Sequence, residues 1–300
     1  MRAQPRPLGI NTWVWTSPLT DADLPRMLAL VAGLGFDAVE LPLEEPDHLD
    51  PARTAAAVRE AGLAAYVVGA MAPGRDLVAT DAATVAHTQD YLRRCVDLAA
   101  AVGAPSVCGP FYAATGRVWR MTPDERHAAY DEWCTHLAPV LDHARAAGVA
   151  IGIEPLNRYE TSLVNTVDQA LTALAPLLDA PDPGIGLALD TYHLGIEERS
   201  SADAVRRAGR HLVHVQVCGN DRGAPGHDQT DWPSLLDALD DVGYAGALNI
   251  ESFTPDNASI AVAASIWRPL AASPDDLARD GLTFLRSLTG SHAPGGAAHD

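Results

Sequence analysis

Short apolar runs alternate along this chain with longer segments in which apolar residues recur at helical spacing. The apolar runs predict strands over residues 8–15, 38–41, 64–68, 106–108, 150–154, 186–190, 212–217 and 247–251. Strands that alternate regularly with helices are typical of a parallel sheet, because neighbouring parallel strands need a long crossover connection that is usually a helix.

Residues that begin and end helices occupy the segments between these strands. Asp50 and Thr122 each precede a proline, which is the arrangement of a capping side chain followed by a first helical turn. Segment 20–23 provides a further capping sequence. Three glycines fall where a helix must stop before the next strand: Gly62, Gly103 and Gly148.

The number and order of these elements predict an α/β fold, a single (β/α)8 TIM barrel over residues 1–288. The chain of 300 residues has no low-complexity break that would divide it into domains. Residues 289–300, which are rich in Gly, Ala and His, are expected to form a disordered tail. An open doubly wound sheet is the alternative, but no glycine-rich GxGxxG turn follows the first predicted strand.

Four oxygen-bearing side chains stand at the ends of four successive predicted strands. They are Glu154, Asp190, Gln216 and Glu251, with separations of 36, 26 and 35 residues. One strand, one helix and two loops of a barrel take up a similar length of chain. The four side chains should therefore meet at one mouth of the barrel, where three carboxylates would repel one another. A divalent cation is the natural occupant of such a site.

The third of these positions has a competitor on the same strand. His214 and Gln216 lie two residues apart, so both side chains face the same side of the strand. His214 is the stronger ligand type, whereas Gln216 lies nearer the C-terminal end, and we favour Gln216. His214 is then an inward-facing core histidine bonded to a neighbouring carboxylate. Glutamine is a neutral oxygen donor, which suits Mg, Mn or Co(II) better than Zn.

The loops after these strands carry more polar groups than packing requires. Glu160, His193 and Arg222 are predicted to bind the substrate, and a loop salt-bridge network is the alternative. Five aromatic residues are candidates for an apolar wall, with ordinary packing as the alternative: Trp13, Trp15, Phe111, Tyr112 and Trp119.

Charge and composition exclude several classes of partner. The formal net charge of −18 argues against nucleic acid or an anionic membrane, since both need clustered Lys and Arg. No run approaches the roughly 18 apolar residues of a membrane span, and the first residues lack the apolar core of a secretion signal. The four cysteines are scattered, so buried reduced thiols are expected. The sequence thus predicts a soluble cytoplasmic protein.

Several motifs resemble those of a known enzyme family. They are Ile-Glu-Pro-Leu-Asn-Arg-Tyr-Glu (153–160), Leu-Asp-Thr-Tyr-His-Leu-Gly-Ile-Glu-Glu (189–198), Asn-Asp-Arg-Gly-Ala-Pro-Gly (220–226), Glu-Ser-Phe (251–253) and Ile-Trp-Arg (266–268). These strings are similar to motifs of the D-tagatose and D-psicose 3-epimerases, ketose 3-epimerases of the xylose-isomerase-like barrel superfamily. The resemblance covers nearly the whole chain.

The resemblance implies a set of roles for the residues already singled out. Glu154, Asp190 and Glu251 map onto ligands of one divalent metal ion, with manganese favoured and magnesium or cobalt as alternatives. Glu154 and Glu251 map also onto the acid/base pair. Glu160, His193 and Arg222 map onto residues that hold the sugar around its first two carbons. The resemblance further implies a homodimer or homotetramer.

One position departs from the epimerase pattern. Gln216 stands where those epimerases usually have a ligand histidine, and His214 matches a histidine two residues earlier. A His-x-Gln strand motif resembles the hydroxypyruvate-isomerase branch of the superfamily, in which glutamine is the ligand. The departure supports Gln216 as a ligand and leaves the exact substrate open.

Together with these residues, the resemblance implies an epimerase that inverts C3 of a free ketose by two-glutamate proton transfer through an enediolate. Two enzyme alternatives use the same site: an aldose–ketose or hydroxypyruvate-type isomerase, and a lyase acting on a 3-oxo sugar or inosose. A metal-dependent endonuclease acting at abasic DNA is a third alternative, which the acidic charge disfavours. The last alternative is a non-catalytic sugar-binding barrel, which would leave the polar residues at the mouth unexplained.

Overall fold

The computed structural model describes residues 6–180, 184–256 and 258–289 of the chain. Within these residues, the strands form a closed parallel barrel in which each strand pairs with the next and the last pairs with the first. The predicted (β/α)8 TIM barrel is therefore confirmed.

The strands of the barrel are β1 Leu8–Asn11, β2 Ala38–Leu43, β3 Ala64–Gly69, β4 Ser106–Gly109, β5 Ala150–Ile153, β6 Ile185–Asp190, β7 Leu212–Val217 and β8 Leu248–Ile250. The α-helices are α1 Leu24–Leu34, α2 Pro51–Ala61, α3 Ala82–Val102, α4 Pro123–Ala147, α5 Val167–Leu178, α6 Thr191–Glu197, α7 Ser201–Ala208, α8 Trp232–Asp241, α9 Ala258–Ala263 and α10 Pro274–Thr289. Short 3₁₀ helices, Thr12–Val14 and Gly209–His211, follow β1 and α7.

The first strand is shorter than its apolar pattern predicted. The prediction of residues 8–15 was wrong beyond Asn11, whose side-chain oxygen accepts a hydrogen bond from the N–H of Trp13 at 2.8 Å. That contact caps the 3₁₀ helix Thr12–Val14 and turns the chain out of the barrel wall. The predicted tail 289–300 lies outside the described residues except for Thr289, which ends α10.

The helix boundaries predicted at Asp50, at Thr122 and at the three glycines are confirmed, whereas α1 begins after segment 20–23 without a side-chain cap from Asp23. The Asp50 side chain accepts from the N–H of Arg53 at 2.8 Å, and Thr122 forms a reciprocal capping box with Glu125. Three predicted stop glycines take the left-handed conformation in which glycine carries no Cβ penalty: Gly62, Gly103 and Gly148.

The interior of the barrel is apolar for most of its depth but holds a polar group directly below the mouth. Asn11, Glu40 and His214 are 0% exposed, and they come from β1, β2 and β7 respectively. All four cysteines are buried and free, as predicted. Among the helices of the described residues, none has both the length and the apolarity needed to cross a bilayer.

Removing the capping hydroxyl of α4 tests the role of Thr122 at the start of this helix. Thr122→Ala should lower the free energy of unfolding by about 1 kcal/mol, because the N–H of Glu125 in the first turn loses its acceptor. The urea midpoint measures this loss, and Thr122→Ser, which keeps the hydroxyl, should stay close to the parent. An alanine variant as stable as the parent would contradict the role of the cap.

Candidate active site

Three carboxylates meet at the mouth formed by the C-terminal strand ends. Asp190 is the last residue of β6, while Glu154 and Glu251 directly follow β5 and β8. Backbone hydrogen bonds from Glu154 to Gly109 (3.0 Å) and from Glu251 to Val217 (3.1 Å) extend the strand ladders to these positions. The three residues are at most 6% exposed. The strands, not mobile loops, therefore place the carboxylates.

Arg222 is the cation that contacts this cluster. Its Nη1 donates to Asp190 Oδ2 and, at 2.9 Å, to Glu251 Oε2, so one guanidinium group bridges β6 and β8. The guanidinium also lies over the ring of Tyr192, 4.0 Å from its centroid. One guanidinium offsets only part of the charge of three carboxylates.

The backbone of Arg222 is held in an unusual conformation. Its φ of +68° lies in the left-handed region, which costs a non-glycine residue roughly 1–3 kcal/mol. A tight turn holds it there: the N–H of Arg222 donates to the carbonyl of Gly219 at 2.9 Å, and the N–H of Gly219 donates to the carbonyl of Gly223 at 2.8 Å. The hydroxyl of Ser252, next to Glu251, donates to the carbonyl of Arg222. The turn thereby fixes the guanidinium against the carboxylates.

His193 lies in the first turn of α6 and faces the same cavity. Hydrogen-bond donors face both nitrogens of its ring: the backbone N–H of Asn157 lies 3.0 Å from Nδ1, and Nη2 of Arg222 lies 3.2 Å from Nε2. Burial and the charge of Arg222 lower the pKa of His193 well below its ordinary value, which keeps the ring neutral. Nε2 also lies 3.4 Å from Glu154 Oε1.

Two uses of the histidine fit its position. Glu154, Asp190 and His193 offer ligand atoms that lie within 4.8 Å of one another, a grouping that could hold a metal ion. A metal bound at Nε2 would have to displace Nη2 of Arg222, which lies 3.2 Å from that nitrogen. The contact with Arg222 therefore favours His193 as a neighbour of the metal site that contacts the substrate.

Glu160 is joined to the same group by Asn157. The side-chain Nδ2 of Asn157 donates to Glu160 Oε1 at 2.7 Å and lies 3.0 Å from His193 Nδ1. Burial raises the pKa of Glu160 above its ordinary value. Sequence reasoning missed the role of Asn157, although this residue lies within the motif 153–160.

Gln216 lines the mouth, and His214 lies below it. His214 Nε2 is bonded to Glu40 Oε1 at 2.6 Å, which is the buried carboxylate partner expected for a core histidine. Gln216 Nε2 donates to Glu40 at 2.9 Å and to Glu251 at 2.7 Å. Sequence reasoning missed Glu40, the carboxylate that both residues share.

Burial and mutual repulsion disfavour the ionised forms of the two glutamates. Burial, followed by the charges of Glu251 and Asp190, raises the pKa of Glu154 well above its ordinary value. Burial raises the pKa of Glu251 to about 8, although the nearby Arg222 opposes the shift. The raised pKa of each glutamate means that the surrounding residues do not fully neutralise the charge of its ionised form.

The donor set at the mouth fits a divalent cation. Buried carboxylate oxygens that lack a full counter-charge, together with a neutral amide, are the ligands that hard cations such as Mg²⁺ and Mn²⁺ prefer. Glu154, Asp190, Glu251 and Gln216 are the residues that would hold the ion. Its charge would replace the protons that the raised pKa values imply.

A cavity of about 390 Å³ opens above these residues. Glu154, Gln216, Arg222 and Glu251 line it, and so does Trp13. The Trp13 ring packs 5.6 Å from that of Phe253. The expectation of aromatic walls holds for Trp13. Trp15, Phe111, Tyr112 and Trp119 do not line the cavity, and Phe111 and Tyr112 are buried in the core.

Comparisons with known proteins identify relatives over most of the chain. A family model described as xylose isomerase-like TIM barrel matches residues 28–288. The chain is 32% identical to an L-ribulose 3-epimerase of Methylomonas sp. (strain DH-1), over 93% of this chain and 96% of that protein. It is 31% identical to a ketose 3-epimerase of Arthrobacter globiformis, over 93% and 95%. These relatives are epimerases, enzymes of the isomerase class.

Solved structures that are similar to this chain are also those of 3-epimerases. The structure of an L-ribulose 3-epimerase matches with a TM-score of 0.85 at 29% identity, covering 95% of each chain. A D-allulose 3-epimerase from Methylomonas sp. in complex with D-allulose matches with a TM-score of 0.84 at 30% identity, covering 95% of this chain and 98% of that one.

Metal binding should stabilise the folded protein measurably. Mn²⁺ added to chelator-stripped protein at about 100 times its dissociation constant should raise the free energy of unfolding by about 2.7 kcal/mol, because only the folded chain assembles the site. Thermal unfolding with and without the ion measures the gain. Asp190→Asn, which keeps an acceptor for the N–H of Tyr192, should lose most of it. An unfolding temperature insensitive to Mn²⁺, Mg²⁺ and Co²⁺ would contradict the site.

Proposed function

The chain belongs to the xylose isomerase-like TIM barrel family, and from that premise we propose that it is a metal-dependent epimerase that inverts C3 of a free ketose. The observation that carries this proposal is the placement of two buried glutamates at one cavity. Glu154 follows β5 and Glu251 follows β8, three strands further round the barrel, so the two carboxylates approach the cavity from different directions.

Glu154 and Glu251 act as the acid/base pair. One takes the C3 proton from one face of the sugar, and the other returns a proton to the opposite face, which inverts the configuration. Which glutamate removes the proton and which one returns it depends on the epimer that enters the site. One divalent ion would be held by Glu154, Asp190, Gln216 and Glu251. Manganese is the favoured ion, and magnesium and cobalt are the alternatives. When bound, the ion supplies a Lewis acid that polarises the ketose carbonyl and acidifies the adjacent C–H.

Glu160, His193 and Arg222 hold the sugar around its first two carbons. Asn157 and Arg222 hold the His193 ring in place through contacts to its two nitrogens. Asn157 also restrains Glu160. Positioning by side chains that are themselves hydrogen-bonded lowers the entropic cost of reaching the reactive geometry.

The lining of the cavity favours a sugar without a phosphate group. Among the described residues that line it, the one Arg or Lys side chain is Arg222, which already donates to Asp190 and Glu251. A phosphate group would need further basic or backbone donors. Relatives named for L-ribulose and D-allulose support the same class of free ketose.

An aldose–ketose isomerase is the second candidate. The His214-x-Gln216 arrangement supports it, because Gln216 faces the cavity while His214 is bonded to Glu40 below. Such an enzyme would return the proton to the carbon next to the one that lost it. We further propose a homodimer or homotetramer in the cytoplasm, in line with the sequence-based expectation, and light scattering of the purified protein tests the assembly.

Isotope exchange distinguishes these reactions. Metal-stripped protein reloaded with Mn²⁺, Mg²⁺ or Co²⁺ should introduce deuterium at C3 of fructose, tagatose or ribulose in D₂O, because the C3 proton is exchanged during inversion. Nuclear magnetic resonance should then show deuterium together with the C3 epimer. Deuterium at C1 or C2 of an aldose product would move the protein to the isomerases, and no exchange at all would overturn the proposal.

Replacing either glutamate should remove turnover but not the fold. Glu154→Gln and Glu251→Gln, assayed at saturating Mn²⁺, should each lower kcat by about 10²–10⁴, since an amide cannot accept the proton. Glu198→Gln is the matched control: this buried carboxylate accepts from the N–H of Val167 and pairs with Arg207, away from the cavity. The control should keep the parental kcat. Full activity in either active-site variant would contradict the two-glutamate mechanism.

A further inference from the structure

The orientation of the Gln216 amide determines what this residue offers the cavity. The two ends of a glutamine side chain have nearly the same shape, but Oε1 accepts hydrogen bonds or binds metals, whereas Nε2 only donates. Both side-chain hydrogen bonds of Gln216 leave from Nε2, toward Glu40 and Glu251. Oε1 is therefore the end without a hydrogen bond among the described residues.

Glu40 is an unusual residue for the interior of a barrel. It lies in β2, is 0% exposed, and sits where barrel interiors normally hold branched apolar side chains. Three donors surround its carboxylate: Asn11 Nδ2 at 2.6 Å, His214 Nε2 at 2.6 Å and Gln216 Nε2 at 2.9 Å. Carboxylate oxygens accept hydrogen bonds, and each of these three neighbours turns a nitrogen toward them.

The backbone sets the direction of this hydrogen-bond chain. The N–H of Trp13, in the 3₁₀ helix after β1, donates to Asn11 Oδ1 at 2.8 Å. That bond turns Asn11 Nδ2 toward Glu40. Glu40, held from two sides by Asn11 and His214, in turn draws Nε2 of Gln216 toward the barrel axis.

We propose that Glu40 is a positioning residue that presents Oε1 of Gln216 to the metal site. Glu251 alone would anchor one N–H of the amide, and Glu40 anchors the other, so that the amide cannot rotate. This inference rests on the proposed metal-dependent function. Buried partners that orient a ligand side chain typically account for about 10–100-fold in metal affinity or activity.

Replacing the carboxylate by an amide tests this role. Glu40→Gln keeps the size of the side chain but offers a donor as well as an acceptor, so it no longer dictates which end of Gln216 faces the mouth. Calorimetric titration of stripped protein with Mn²⁺ should give a dissociation constant about 10–100-fold above the parental value. The visible absorption of the Co²⁺-loaded variant should change as well, because a ligand is displaced.

The control and a second variant separate positioning from folding. Glu198→Gln should bind Mn²⁺ with the parental constant, and circular dichroism should show the parental fold in the metal-free Glu40→Gln protein. Glu40→Asp keeps the charge but shortens the reach, and it should also weaken binding. A purely structural Glu40 would lower the unfolding temperature and leave the dissociation constant of the folded variants unchanged, which would overturn the proposal.

A measurement on the unsubstituted protein needs no variant. With ¹⁵N in the side-chain amides of glutamine, electron spin-echo modulation of the Mn²⁺-loaded protein should show no nitrogen bound directly to the metal from glutamine. A strong coupling to glutamine ¹⁵N would overturn the inference. Parental protein that binds no divalent ion would overturn the proposed function too, whereas parental binding and epimerisation with an unaltered Glu40→Gln constant would overturn only this inference.

Discussion

Uncompensated negative charge at the mouth of the barrel is the constraint on which the site depends. The strand ends bring Glu154, Asp190 and Glu251 together, and the guanidinium of Arg222 bonds only to the last two. Removing charges from water costs several kcal/mol per ion unless partners replace the hydration. The cluster must therefore hold protons or a cation, and the raised pKa values of both glutamates express this requirement.

Below the charged mouth, the barrel interior contains hydrogen-bonded polar side chains in place of an apolar layer. Below the mouth, Asn11, Glu40 and His214 form a buried hydrogen-bonded group that reaches Gln216. Beside the mouth, Asn157 contacts Nδ1 of His193 and restrains Glu160. Side chains on strands and short turns keep such a site more precise than mobile loops would. Precision of this kind is what the proposed proton transfer on two faces of one sugar would require.

Much of this arrangement was predictable from the sequence, because spacing carries topological information. The separations of the strand-end residues identified the barrel and its mouth, and the helix boundaries followed from local capping chemistry. The extent of the first strand was not predictable, since Trp13 continues the apolar pattern while Asn11 caps a 3₁₀ helix. The role of Glu40 was also hidden: a glutamate inside the apolar run 38–41 was a visible signal, but its partners lie on β1 and β7.

We propose that the strand-end residues, including Gln216, form one metal site and that His193 lies beside this site without binding the ion. Anomalous X-ray scattering from crystals of the Mn²⁺-loaded protein tests this arrangement most directly. We predict a single manganese peak at coordination distance from the carboxylates of Glu154, Asp190 and Glu251 and from Oε1 of Gln216. A peak coordinated by Nε2 of His193 and remote from Gln216, or no peak at the mouth, would contradict the proposed site.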